Sequence, residues 1–128
     1  MATETLVLLL TFALSFVYLL LPSAFTASRT SPTKLAGSRD DIPPSDNVYE
    51  QRAVRANNNF RETAPWAIGL LILVQVTGGA NGTSALGAWI YFICRCVYIP
   101  AYLSGIPYIR SLVWTASVVG LIMIALQA

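Results

Sequence analysis

The sequence predicts an all-α integral membrane protein whose four helices pack as one bundle, and three observations carry that reading. Only 11% of its 128 residues are charged against 55% hydrophobic, whereas a soluble domain carries roughly 25% charged residues. Charge is missing altogether from Thr5 to Ser28, from Thr63 to Cys94 and from Ser111 to Ala128. A hydrocarbon core of about 30 Å takes about 20 residues of helix, so each run is of membrane length. Polar or breaker-rich segments, Ser28 to Asn47, Thr77 to Ser84 and Ser104 to Pro107, separate the apolar stretches. At this size a single domain over 1–128 is expected.

The first helix is expected over about 3–27. Its run Leu6 to Leu21 and the small residues Ala24 to Ala27 raise the question of a cleaved leader, but Glu4 and no Lys or Arg precede Leu6. A leader wants a basic start and a shorter apolar run, so the helix is read as retained. The connector 28–46 holds Pro32, Gly37, Pro43 and Pro44, with Arg29, Lys34 and Arg39 set against Asp40, Asp41 and Asp46. Such a composition makes a loop. The second helix is expected over about 47–76, capped by Asp46 or Asn47, polar in its first half and apolar in its second. Pro65 lacks the N–H that would bond the Arg61 carbonyl, which predicts a bend where the halves meet. The turn TGGANGTS separates it from a third helix over about 85–103, and Ser104 to Pro107 from a fourth over about 108–127.

Topology follows from charge. Arg29, Lys34, Arg39, Arg52, Arg55, Arg61, Arg95 and Arg110 all fall in or near the first and third connections, and none is near the second or the termini. The positive-inside rule then puts both termini on the non-cytoplasmic side. Asn81-Gly82-Thr83 matches a weak glycosylation sequon on that side. A bacterial inner membrane is favoured over the endoplasmic reticulum, in keeping with a chain that ends Gln127-Ala128 without a retention tail.

Several chemistries are excluded. Histidine is absent, which removes His-ligated zinc or haem and the Ser-His and Cys-His pairs. Cys94 and Cys96 are two apart on a helix, about 200° around its axis, so neither a disulfide nor a metal pair is expected. The net charge of +2 and the lack of a basic cluster argue against nucleic acid.

Ionisable residues at or below the membrane edge are costly unless paired, and each is therefore a functional candidate. Arg52, Arg55, Asn59 and Glu62 are spaced three, four and three along helix two, which places them within about 80° on one face. Arg61 points roughly the other way and reads as an interfacial anchor. On helix three Tyr91, Arg95, Tyr98 and Tyr102 form one stripe; tyrosines there commonly serve packing, but Arg95 needs a carboxylate or a wet crevice, with Glu62 the expected partner. Arg110 and Ser111 open helix four at similar depth. Together the three helices predict a pocket for a small ligand with carboxylates and amides, open to hydrophobic substrates from the bilayer.

The stretch Arg55-Ala56-Asn57-Asn58-Asn59-Phe60-Arg61-Glu62, followed by Pro65, resembles the helix-two signature of the MAPEG superfamily, membrane-associated proteins in eicosanoid and glutathione metabolism. The four-helix layout, the Tyr-rich third helix and Arg110-Ser111 extend the resemblance over nearly the whole chain. It implies a homotrimer with glutathione held between adjacent subunits. By the same resemblance Arg55, Asn59 and Glu62 hold the peptide's carboxylates and amino group, and Arg52 and Tyr102 line the site. Tyr98 stands where some members have histidine, and Arg95 corresponds to a family arginine. Arg110 with Ser111 would sit by the sulfur and favour thiolate. Two residues depart from the pattern: Asn58 stands at a position that is basic in some family enzymes, and Trp114 where some have a helix-four tyrosine.

The resulting expectation is a membrane glutathione transferase or peroxidase that conjugates or reduces lipophilic electrophiles, with glutathione as co-substrate and no metal. A second reading is a non-catalytic relative that binds a lipid or partner in the same cleft. A third, a small four-helix exporter, requires a membrane-embedded carboxylate in helix one, where the sequence has only Glu4 at the end.

Overall fold

The computed structural model describes residues 2–31, 33, 36, 37 and 46–128. Four helices carry these residues: α1 (Thr3–Ser28), α2 (Val48–Val76), α3 (Gly82–Leu103) and α4 (Pro107–Ala125). Most of the expected connector, with Lys34, Arg39, Asp40 and Asp41, lies outside the described residues.

Local chemistry sets the helix ends. The Asn47 side chain accepts from the Tyr49 N–H at 2.9 Å, which settles the two cap candidates in favour of Asn47. At the other end of α2, Gly78 takes φ 74°, donates to the Gln75 carbonyl, and Gly79 donates to that of Val74. That left-handed turn closes the helix without a Cβ penalty. α3 starts three residues earlier than expected, because Asn81 and Ser84 form a reciprocal capping box that draws Gly82 and Thr83 into the first turn. The predicted sequon is thus a helix cap, and the Asn81 amide also donates to Gln127 Oε1 at 2.7 Å. Pro65 does not interrupt α2, whose helical stretch is continuous from Val48 to Val76.

α1 buries Val7, Thr11, Leu14, Tyr18 and Pro22, spaced by three or four residues, and turns Phe16 and Leu20 outward. The bilayer-facing surface is therefore as apolar as the core. α2 runs antiparallel along α1: Val7 packs in one cluster with Ala67, Leu71 and Val74, while at the far end Arg29 pairs with Glu50 at 3.1 Å. α3 packs against α1, α2 and α4, and α1 and α4 do not touch among the described residues, so they flank the α2–α3 pair from opposite sides. The closest approach joins α3 to α4, where a Cβ on Gly87 would meet the Gly120 carbonyl at 2.6 Å and the reverse holds for Gly120. Small residues let backbones close in this way, the usual source of packing energy where lipid offers no hydrophobic driving force.

α1, α3 and α4 are long and apolar enough to cross a membrane, and the protein is an integral membrane protein. α2 lies alongside them with a polar first half.

Candidate functional site

One end of the molecule, that of the α1–α2 and α3–α4 connections, gathers polar side chains from three helices around a cavity of about 550 Å³. Periodicity explains the gathering: on α2, Arg55, Asn59 and Glu62 share a face, with Asn58 beside them. α3 brings Tyr98 and Tyr102, one turn apart, and α4 brings Arg110, Ser111, Trp114 and Thr115. α4 reaches the cavity because Pro107 opens it immediately after Gly105, whose φ of 77° turns the chain back from α3.

Seven of the nine residues nominated from the sequence line this cavity: Arg55, Asn59, Glu62, Tyr98, Tyr102, Arg110 and Ser111. Two do not. Arg52 turns away to donate to the Leu103 carbonyl at 2.9 Å, and its guanidinium covers Gly105, where a Cβ would lie 2.7 Å from Nη2. It thus satisfies an orphan carbonyl at the end of α3, a demand that the helical wheel does not reveal. Arg95 lies behind the cavity, fully buried. Its partner is Asn59, whose Oδ1 accepts from Nη1 at 3.0 Å, and not the expected Glu62. Glu62 faces the cavity and is exposed. Rings replace the carboxylate: the Arg95 guanidinium lies 4.4 Å from the Tyr98 ring centroid, 5.4 Å from Phe60 and 5.6 Å from Tyr18. Its Nε and Nη2 have no hydrogen-bond partner among the described residues.

Tyr18 is a residue that sequence reading missed. Its ring stacks on Phe60 at 4.2 Å, and its hydroxyl donates to the Arg95 carbonyl. The only sequence sign was a lone tyrosine within a Leu-rich helix. Asn59 is thereby held by a buried arginine that is itself held by three aromatic rings. Arg110 rests over the Tyr102 ring at 4.9 Å. Arg55, Glu62 and Arg110 have no hydrogen bond or ion pair among the described residues.

A second cavity of about 680 Å³ adjoins the first between α2 and α4, and the two share Glu62 and Trp114 as a wall. Its lining is apolar, with Pro65, Trp66, Leu70, Val118 and Ile122 among its residues. A polar chamber with two cations and one carboxylate therefore opens beside an apolar one, an arrangement that can hold a charged hydrophilic molecule against a lipophilic one. No cluster of metal-ligating side chains is present among the described residues.

No curated protein and no solved structure gives a significant match to the chain. A family model does, and it aligns with residues 6–128, from the first turns of α1 to the last residue. With that span covering all four helices and the polar cavity between them, the chain belongs to the MAPEG family, membrane proteins of eicosanoid and glutathione metabolism.

Proposed function

We propose that the protein is a membrane glutathione transferase or peroxidase, working as a homotrimer on lipophilic electrophiles. The observation that carries this reading is the shared wall between a charged cavity and an apolar one. Glutathione has two carboxylates, an ammonium, two amides and a thiol. The polar cavity supplies matching groups: Arg55 and Arg110 for carboxylate or thiolate, Glu62 for the ammonium, and Asn58 and Asn59 for amides. Asn59 is the best positioned of them, since Arg95 fixes its side-chain oxygen and leaves its NH2 free to donate.

In the reaction, Arg110 and Ser111 favour thiolate over thiol by charge and hydrogen bonding, because the anion and not the thiol is the nucleophile. The sulfur attacks an electrophilic carbon of a molecule seated in the apolar cavity, forming the C–S bond as the leaving group departs with its electron pair. Trp114 and Glu62, common to both cavities, stand where the two reactants meet. Both termini on the non-cytoplasmic side of a bacterial inner membrane would place the polar cavity at the cytoplasmic edge, within reach of soluble glutathione.

Calorimetry of glutathione binding to the detergent-purified protein tests this, with thiolate absorbance followed in parallel. Wild type is expected to bind, Arg55→Ala to lose binding, and Arg110→Ala to bind without forming thiolate. Absence of binding in the wild type, with a co-purifying lipid retained, would replace this reading by the non-catalytic lipid-binding one, which the larger apolar cavity would serve.

A further inference from the structure

Two guanidinium groups at the polar end rest on tyrosines of α3. Tyr98 and Tyr102 lie one turn apart on one face of that helix, with ring centroids 5.5 Å apart. The Arg95 guanidinium stands 4.4 Å from the Tyr98 centroid, and that of Arg110 stands 4.9 Å from the Tyr102 centroid. A row of cation, ring, ring and cation therefore runs from the buried interior to the wall of the cavity.

Arg110 reaches this row from the first turn of α4. The turn that delivers it is fastened by Arg52, which donates to the Leu103 carbonyl and covers Gly105. Arg110 itself makes no hydrogen bond or ion pair among the described residues, although Glu62 lines the same cavity. The kind of contact that holds it matters. A carboxylate fixes a guanidinium by occupying its N–H donors and cancelling its charge, as Glu50 does with Arg29 at 3.1 Å. A ring face attracts the cation through its quadrupole and does neither. Every donor of the Arg110 fork thus stays available to an anion in the cavity. A long side chain held in place before the ligand arrives also has less freedom to lose on binding.

We infer that Tyr102 is a positioning residue whose ring face, and not its hydroxyl, holds the Arg110 guanidinium at the cavity with its charge and donors free for the anionic group of the ligand. With glutathione that group is the thiolate, a consequence that rests on the function proposed above; the hold on Arg110 does not depend on it. Besides Arg110, the ionisable side chains lining the cavity are Arg55 and Glu62 of α2 and Tyr98 and Tyr102 of α3. Arg55 lowers the pKa of a thiol bound there and Glu62 raises it, and neither is altered in the variants that test the inference.

The test replaces the ring in steps. Position 102 is filled with phenylalanine and then with its mono-, di- and trifluoro derivatives, because fluorine withdraws charge from the ring face with little change of shape. A ring that only packs would not respond. One readout is the pKa of bound glutathione, from thiolate absorbance against pH. The other is the mobility of the Arg110 guanidinium in the ligand-free protein, by nuclear magnetic resonance of isotope-labelled arginine, assigned through Arg110→Lys. Tyr102→Phe is expected to match the wild type in both. Along the fluorinated series the thiol pKa should climb stepwise, the thiolate fraction at neutral pH falling about two- to thirtyfold in all, while Arg110 gains mobility. Tyr102→Leu should show the full loss at unchanged helix content, and Tyr102→Trp should keep the hold. Loss of thiolate in Tyr102→Phe would give the role to the hydroxyl and overturn the inference. So would a flat response along the fluorinated series, or an Arg110 guanidinium as mobile in the wild type as in Tyr102→Leu. A wild type that binds no glutathione would refute the proposed function instead, and the mobility of Arg110 across the same series would still decide this inference.

Discussion

The two ends of the molecule are both polar, yet they treat their polar groups in opposite ways. At the end of the α2–α3 turn, Glu4 is 4% exposed and accepts from the Ser84 hydroxyl at 2.6 Å. Thr5 bonds to Gln75, and Asn81 to Gln127. Side chains from α1, α2 and the start of α3, with the tail beyond α4, thus satisfy one another. At the opposite end Arg55, Glu62 and Arg110 point into a cavity without such partners. The first end spends its polar groups on joining helices; the second does so with Arg29, Glu50 and Arg52 and leaves Arg55, Glu62 and Arg110 at the cavity without a hydrogen bond or ion pair among the described residues. Unpaired charge at membrane depth is costly, which makes these three residues candidates for binding.

Substitutions can break this comparison. The largest effect expected is a fall in glutathione affinity of about ten- to a hundredfold for Arg55→Ala, the worth of one charge-assisted hydrogen bond of about 1.5–3 kcal/mol. Thermal unfolding of the same variant should be unchanged, because Arg55 makes no hydrogen bond or ion pair among the described residues. Glu4→Ala should do the reverse: about 1–3 kcal/mol of stability lost, through the lost charge-assisted hydrogen bond that ties α1 to the start of α3, with glutathione titrations as in wild type. If Glu4→Ala abolished binding at unchanged stability, the division of labour between the ends would be wrong.

A smaller loss, about 1 kcal/mol, is expected for Asn81→Ala, which removes the cap of α3. Denaturation monitored by intrinsic fluorescence would detect it, again without a change in ligand affinity. The smallest effect sharpens the comparison, since it concerns the one residue that joins interior to site. Arg95→Met keeps a long apolar side chain but frees Asn59, so affinity should drop about threefold by loss of orientation, at the low end of the roughly 0.5–1.5 kcal/mol that one hydrogen bond contributes. Nuclear magnetic resonance of a labelled Asn59 amide would separate a loosened side chain from a displaced helix.

How far the sequence reached depended on the range of the interactions. The four helices are legible from three charge-free runs and the breakers between them, and the ends of α2 from the cap candidates Asp46 and Asn47 and the turn TGGANGTS, because caps and breakers act on backbone a few residues away. Seven cavity residues were legible for the same reason: their spacing puts them on one face of a helix before any packing occurs. The start of α3 lies earlier than the sequence predicts because Asn81 and Ser84, which have turn-like composition, form a reciprocal cap.

What the sequence by itself determined is the set of helices, their apolar stretches and the polar face of each. These follow from local spacing and from the cost of charge in hydrocarbon, and they need no knowledge of neighbours. Tertiary structure alone decided which polar residues of that face line the cavity and which it spends on the fold. Arg52 went to the end of α3 and Arg95 to a box of aromatic rings beside Asn59, while Glu4 was buried against Ser84. Each of those outcomes depends on groups 36 to 80 residues away in the chain, and no local pattern records which of several distant partners a side chain will meet when the helices close.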